Sequence, residues 1–279
     1  MILIDMNQIS VASLMMHLHM NRGELEEDMV RHMILNSVRM YRTMFNEDYG
    51  EMVLAYDSKS YWRREFFPLY KASRRQGREE STNDWDVLFN LIWEIKEEIS
   101  ENFPYKVIAV DNAEADDIIA TIIKLQKEDK YLIISGDKDF KQLQRYSNVS
   151  QYSPIQKVMI VEDNPSRYLH EQIIKGDRSD GIPNILSPDD VFMTKTKQSP
   201  ITKKKLEEWS QIDDIPLGSE TKKYYNRNKK LIDLTLIPNS LEETIINSYT
   251  NYEVPSRSKL LPYFINFKLK SLIENINDF

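Results

Sequence analysis

The sequence predicts an α/β fold built on a parallel sheet, with a helical region after it. Three features carry that expectation. First, four short apolar runs each end at a carboxylate: Ile2-Leu3-Ile4-Asp5, Val53-Leu54-Ala55-Tyr56-Asp57, Val107-Ile108-Ala109-Val110-Asp111 and Leu132-Ile133-Ile134-Ser135-Gly136-Asp137. Continuous apolar runs without polar alternation suit strands covered on both faces, as in a parallel sheet. Second, helical spacing fills the gaps between them. Met29, Met33, Ile34, Val38 and Tyr41 mark residues 26–45; Trp85, Leu88, Phe89, Ile92, Ile95 and Ile99 mark 84–100; Ile118, Ile119, Ile122, Ile123 and Leu125 mark 114–126. Strands alternating with helices imply βαβ units, and these apolar stripes should face the core. Third, the β runs stop near residue 163 and helical patterns continue to residue 279. Residues 1–162 therefore read as the α/β part and 163–279 as a helical part, with room for a shared core. Between them in character is 71–83, KASRRQGREESTN, which has no apolar residue beyond Ala72 and reads as a mobile, charged loop or bridge.

Composition narrows the chemistry. The 279 residues are 41% hydrophobic and 29% charged, a balance that supports a packed core. No apolar run approaches the roughly 20 residues a membrane span needs. A charge at Asp5 interrupts the opening residues, so they do not read as a signal peptide. There is no cysteine, which excludes disulfides, thiol nucleophiles and Cys-zinc sites; with only four histidines, an imidazole-rich site is not expected. A metal would have to be held by carboxylates, a donor set for hard ions such as Mg²⁺ or Mn²⁺. The formal net charge of −7 argues against a polyanion partner, but it hides segregation. Residues 59–80 carry a net +4 and residues 195–230 a net +5.

Ligands of an open parallel sheet bind beyond the carboxyl ends of its strands, so four terminal acids would gather there. Asp is also common after strands for turn reasons. Two local clusters sharpen the case. Glu114-Ala115-Asp116-Asp117 opens a helix, where one acid can cap, but three acids repel one another unless a cation lies between them. Asp137 and Asp139 flank a turn after the fourth strand. A third cluster, Lys175 to Pro183, places Asp177 and Asp180 three apart, which on a helical turn would put them on one face. A dense carboxylate pocket suits two-metal phosphodiester hydrolysis, with two Mg²⁺ roughly 4 Å apart. The basic segments would then hold the nucleic-acid backbone that the acids alone would repel.

These motifs, in order, resemble the 5′-nuclease (flap endonuclease) superfamily, most closely its T-even phage RNase H branch. The matching stretches are LIDMNQIS at 3–10, LAYDSKSYWRREFFPLYKASRRQGREEST at 54–82, AEADDIIA at 113–120, LIISGDKDFKQL at 132–143 and IIKGDRSDGIP at 173–183. The resemblance implies a PIN-like 5′-nuclease core with a helical arch at about 61–83 and a C-terminal helical region forming part of the cleft. It implies two Mg²⁺, with Mn²⁺ able to substitute. The first would be served by Asp5, Asp57, Glu114, Asp116 and Asp117, with Asp137 nearby, and the second by Asp137, Asp139, Asp177 and Asp180. The arch would bring Lys71 to the scissile phosphate. Arg64, Arg74, Arg75 and Arg78 would guide a single strand. Tyr61, Trp62, Phe66 and Tyr70 would either stack on bases or pack beneath the arch.

The implied activity is 5′→3′ degradation of RNA:DNA and DNA:DNA duplexes and cutting of flaps, removing lagging-strand primers in the cytoplasm of an infected bacterial host. A single-stranded-DNA-binding protein and a sliding clamp are the implied protein partners. Two features depart from cellular relatives. The run Ile182 to Asp190 has no Gly-x-Gly, so Lys195, Lys197, Lys203, Lys204 and Lys205 are expected to grip the duplex in place of a K⁺-assisted hairpin. Only four residues precede Asp5, leaving no N-terminal tail to dock on a clamp. With no long exposed apolar stripe, a monomer is expected.

Two other classes compete. Haloacid-dehalogenase-type phosphatases place Asp-x-Asp after their first strand, but here the first strand reads Asp5-Met6-Asn7, and that chemistry has no use for Asp177 and Asp180. A non-catalytic, structure-specific DNA-binding protein would have lost some of these acids, and all are present.

Overall fold

The computed structural model describes residues 1–125, 129–194, 196–212 and 218–279. The four acid-terminated runs are strands: β1 Ile2–Asp5, β2 Met52–Tyr56, β3 Lys106–Ala109 and β4 Tyr131–Ile134. Two more strands follow, β5 Val149–Ser153 and β6 Val158–Ile160. The sheet order is β3-β2-β1-β4-β5-β6, with β1 to β5 parallel and β6 antiparallel to β5. Chain order reverses about β1, which pairs with β2 on one side and β4 on the other. That switch point opens a crevice at the carboxyl ends of β1 and β4.

The helices are α1 Met6–Met20, α2 Glu27–Tyr49, α3 Trp62–Phe66, α4 Ala72–Glu79, α5 Trp85–Asn102, α6 Ala115–Leu125, α7 Pro165–Lys175, α8 Lys203–Ser210, α9 Ser219–Ile232, α10 Asn239–Thr250, α11 Leu260–Asn266 and α12 Lys270–Glu274. A 3-10 helix spans Lys138–Arg145. Strand alternation splits the core into two faces. Ile2, Ile4, Leu54, Leu132 and Ile134 pack against α1, α2, α5, α11 and α12. Leu3, Val53, Ile108 and Ile133 pack against α6, α10 and the 3-10 helix. Helices from the C-terminal third thus cover both faces of the sheet. No helix among the described residues is long and apolar enough to cross a membrane.

Several expectations need correction. Residues 72–79 form a helix, as the arch implied by the family resemblance requires, and not the mobile loop that their composition suggested. The segment is rich in Arg, Gln and Glu, all good helix formers, and Arg74 is tied to Asp180. Met29 is 47% exposed and Leu125 42%, so the stripes of α2 and α6 end short of these positions. Asp177 and Asp180 share a tight turn, not a helix: Asp177 and Ile182 exchange backbone hydrogen bonds of 2.8 and 2.7 Å. Gly176 at φ +67° makes the turn possible, because a Cβ there would lie 2.3 Å from the Ile182 carbonyl oxygen.

Candidate active cleft and metal centre

The strand ends deliver Asp5 and Asp57 to one edge, and Glu114, just before α6, and Asp116, in its first turn, join them. With Asp137, which follows β4, they line a cleft of about 640 Å³. The opposite wall carries Lys71, Arg74 and Arg78 from the segment above. Asp5 also caps α1, accepting the Gln8 N–H at 3.1 Å, while the Ser135 hydroxyl donates to its other oxygen at 3.0 Å. Asp57 is fixed at both ends. Its N–H donates to the Asn7 side chain at 3.1 Å, and its carboxylate accepts the Ala115 N–H at 2.8 Å. From β5, Gln151 donates to the carbonyls of Ser135 and Asp137 at 2.9 and 2.7 Å, pinning the turn that carries Asp137.

A second group lies beside the first. Asp139, Asp177 and Asp180 each offer an oxygen within 4.8 Å of the others. Asp139 stands in the 3-10 helix and accepts from the Gln172 amide of α7. Asp177 accepts the Ser179 N–H and hydroxyl at 2.8 and 2.6 Å and pairs with Lys138 at 2.9 Å. Asp180 pairs with Arg74 and accepts the Tyr70 hydroxyl at 3.1 Å.

The electrostatics suit a cation. Burial pushes Asp5 up to about 6 and Asp57 up to about 7, despite the Lys71 charge nearby. Asp116 and Asp139 are raised well above the carboxylate range by burial and then by the Asp137 charge. Oxygen-only donors, drawn together against their mutual repulsion, fit hard divalent cations.

Glu114 behaves differently. Burial opposes its charge, yet Lys71 and Arg63 outweigh burial and hold it down at about 2. Lys71 donates to it at 2.5 Å, Arg63 at 2.8 Å and Tyr70 at 3.1 Å. Lys71 itself sits at φ +55°, an uncommon backbone state for a residue with a side chain, and its N–H is held by the Asp180 carbonyl at 2.8 Å. The backbone thus fixes the point from which this side chain extends, while its ammonium is held by Glu114.

Two expected roles are overturned. Asp117 does not reach the cleft. It is 0% exposed, doubly bonded to Arg63 at 2.8 and 2.9 Å, and it accepts the Trp62 indole N–H at 3.1 Å. Tyr70 is 3% exposed, with its hydroxyl committed to Glu114 and Asp180, so it offers no face to a base. Trp62 is likewise buried, Tyr61 lines the cleft, and Phe66 lines a different groove. Of the remaining cations, Arg64 lies over the Tyr61 ring and Arg78 over Phe89, while Arg75 is exposed beside Glu79. Lys197, Lys203 and Lys204 are exposed and Lys205 covers Trp209, but none of the four lines the cleft. Lys195 lies outside the described residues.

Sequence reasoning assigned no role to Arg63, Lys138, Gln151 or Gln172, which neutralise or orient the acids. Arg63 and Lys138 lie inside matched stretches, as do Asn7 and Gln8 in the first motif, so a signal could be read at those positions; Gln151 and Gln172 lie outside every stretch.

Fold and site together define a nuclease, with a carboxylate cleft at the switch point of a parallel sheet and cations set over it. A family model for the 5′-3′ exonuclease N-terminal resolvase-like domain matches residues 1–173, and one for the T4 RNase H C-terminal region matches 165–279. Ribonuclease H of Enterobacteria phage T4 is 33% identical over 290 aligned residues, covering 99% of this chain and 95% of that protein. DNA polymerase I of Streptococcus pneumoniae (strain R6) is 26% identical over 150 residues, 49% of this chain and 16% of the polymerase. Among solved structures, the zinc-bound 5′-exonuclease of bacteriophage T5 superposes with a TM-score of 0.63 at 16% identity, covering 91% of this chain and 99% of that one. The T5 flap endonuclease in a complex with DNA and metal ions gives 0.55 at 18% identity, covering 77% and 89%. The chain belongs to the 5′-3′ exonuclease family, in its phage RNase H branch.

Proposed function

We propose that this nuclease requires divalent cations, removes nucleotides 5′→3′ from RNA:DNA and DNA:DNA duplexes, and cuts 5′ flaps. Its role would be removal of lagging-strand RNA primers during phage replication in the host cytoplasm, alongside a single-stranded-DNA-binding protein and a sliding clamp. The observation that carries this reading is the juxtaposition of two carboxylate groups with the Lys71 ammonium, which reaches Glu114 from across the cleft.

Asp5, Asp57, Glu114 and Asp116 would hold one Mg²⁺, and Asp139, Asp177 and Asp180 a second, with Asp137 between them; Mn²⁺ could replace either. Bound there, such ions supply the charge that activates water and steadies a leaving oxygen. The remaining work falls to the chain. Lys71, drawn to Glu114 in the free protein, is placed to turn to the scissile phosphate and offset its growing negative charge. Arg74 and Arg78 line the same cleft and would hold the backbone on either side. Asn7, Gln8, Ser135 and Gln151 keep the acids in register, so little rearrangement is needed at the moment of reaction.

The test is direct. A 5′-labelled RNA–DNA primer annealed to template is incubated with Mg²⁺ or with EDTA, beside a flap substrate. Short 5′ products that vanish with EDTA support the reading. No cleavage of either substrate with binding intact points to a non-catalytic DNA-binding protein instead. Lys71→Ala should slow cleavage by on the order of 10²-fold while binding falls far less.

A further inference from the structure

α3 works on two sides. Arg63 reaches inward to Glu114 and Asp117, whereas Phe66 and Phe67 line a separate groove of about 710 Å³ whose other wall is α9. No residue lining this groove also lines the cleft. Lys222, Lys223 and Lys230 stand exposed along it. Among the described residues, the only carboxylate in its lining is Asp189, and Arg227 already pairs with it. Among the described residues, none of the three lysines meets a carboxylate at ion-pair distance, although the chain as a whole carries −7. Phe66 is 43% exposed, and the Lys230 ammonium lies 4.1 Å from its ring centroid.

Unpaired cations beside an open aromatic ring form the surface that takes up a single strand, with phosphates on the charges and a base on the ring. An acidic peptide would match the lysines alone; the ring adds a flat apolar face that a base can cover. We propose that this groove binds a single-stranded stretch of nucleic acid outside the cleft, with Lys222, Lys223 and Lys230 on phosphates and Phe66 under a base. The proposal rests on the reading above that the substrate is nucleic acid with an unpaired strand. Arg227, on the groove floor, donates to the Pro183 carbonyl at 2.8 Å, so the groove adjoins the turn that carries Asp177 and Asp180.

The experiment measures binding of the full chain in EDTA to a duplex with a single-stranded tail and to the same duplex blunt. The triple variant Lys222→Ala, Lys223→Ala, Lys230→Ala should lose about tenfold or more on the tailed duplex and less than twofold on the blunt one. Its plot of log affinity against log salt should flatten by about 2, because each single-strand phosphate neutralised by a lysine adds roughly 0.7 to the slope. Phe66→Ala should cost about fivefold or more on the tail with the salt slope unchanged. Equal losses on both duplexes, or no loss on the tail, would overturn the proposal. So would a polyglutamate peptide that binds the parent protein and is released by the triple variant while tail binding stays. Cleavage by the parent protein reports separately: if it cuts nothing, the nuclease reading fails, and the contrast between tailed and blunt duplex still decides the groove.

Discussion

Asp116 and Asp117 are neighbours in the first turn of α6, yet they belong to different regions of the molecule. Asp116 faces the cleft, and burial and the charges of Asp137, Asp5 and Glu114 oppose its ionisation more than the Lys71 charge favours it. Asp117 lies one layer below, where Arg63 and the Trp62 indole satisfy its oxygens. The cleft floor is thus a layer of mutually repelling acids resting on a layer of fully paired ones. What decides an acid's role here is the cation it meets, not the motif it sits in. Glu114 marks the boundary: it lines the cleft but is held ionised from beneath by Arg63 and from above by Lys71.

The largest effect should come from breaking the lower layer. Asp117→Asn leaves the Arg63 guanidinium buried with one anionic partner instead of two. Arg63→Met strands Asp117 without a cation and leaves Glu114 to Lys71 and the Tyr70 hydroxyl. Removing one member of a buried charge network costs about 3–5 kcal/mol. Both variants should therefore show a large loss in urea midpoint, with Arg63→Met the worse. If Asp117→Asn keeps full stability and loses only metal binding, the two-layer division is wrong.

The next effect is the mirror image. Asp116→Asn removes a charge that its neighbours oppose, so the metal-free protein should be as stable as the parent or slightly more so. Cleavage should fall on the order of 10²–10³-fold, the size of losing one well-placed electrostatic group. Thermal melts in EDTA beside cleavage rates would show both at once. A destabilised Asp116→Asn would mean that this side chain belongs to the paired layer.

The contrast also separates what could be read from the sequence from what could not. Asp5, Asp57 and Asp137 were legible because uninterrupted apolar strands end at them, and a parallel sheet must present those ends together. Which way Asp116 and Asp117 point was not legible, because it depends on where Arg63 lands, 54 residues earlier in the chain. β5 was missed for a related reason. Gln151 and Ser153 interrupt its apolar pattern because they face inward to polar partners, Gln151 holding the turn carbonyls. The helix at 72–79 lay within the arch that the family resemblance implied, but apolar spacing alone did not show it, because its polar sequence is held by partners beyond itself, Asp180 for Arg74 among them. The Asp177–Asp180 pairing was legible, but as the wrong local structure.

A smaller change tests the irregular scaffold of the second carboxylate group. Gly176→Ala would put a Cβ 2.3 Å from the Ile182 carbonyl oxygen and 2.4 Å from that of Pro183. The turn must open, at about 1–3 kcal/mol for the clash and roughly 1–2 kcal/mol for the left-handed backbone. Cation binding, followed by titration calorimetry, should lose the step belonging to Asp139, Asp177 and Asp180 and keep the one belonging to the strand-end acids. Equal loss of both steps would show that the two groups form one inseparable site.

The smallest effect is a pH dependence whose sign differs between the layers. Asp5 and Asp57, raised to about 6 and 7, bind protons more tightly folded than unfolded, where an Asp titrates near 3.9. Their ionisation therefore opposes folding: the penalty is absent below pH ~4, grows as pH rises, and is complete above pH ~7. Glu114, held at about 2, acts the other way, stabilising above its unfolded value near 4.3 and losing that contribution as pH falls toward 2. Melting in EDTA should accordingly peak at mildly acidic pH, between the two windows, and decline toward neutrality. If the proposed Mg²⁺ sites are right, adding Mg²⁺ should reverse the decline, because an ion held by the ionised acids would stabilise the native state more as pH rises through 6 and 7. In Asp57→Asn the neutral-side decline in EDTA should shrink. If it stays the same size, the repulsion that shapes the cleft comes from elsewhere than the strand ends.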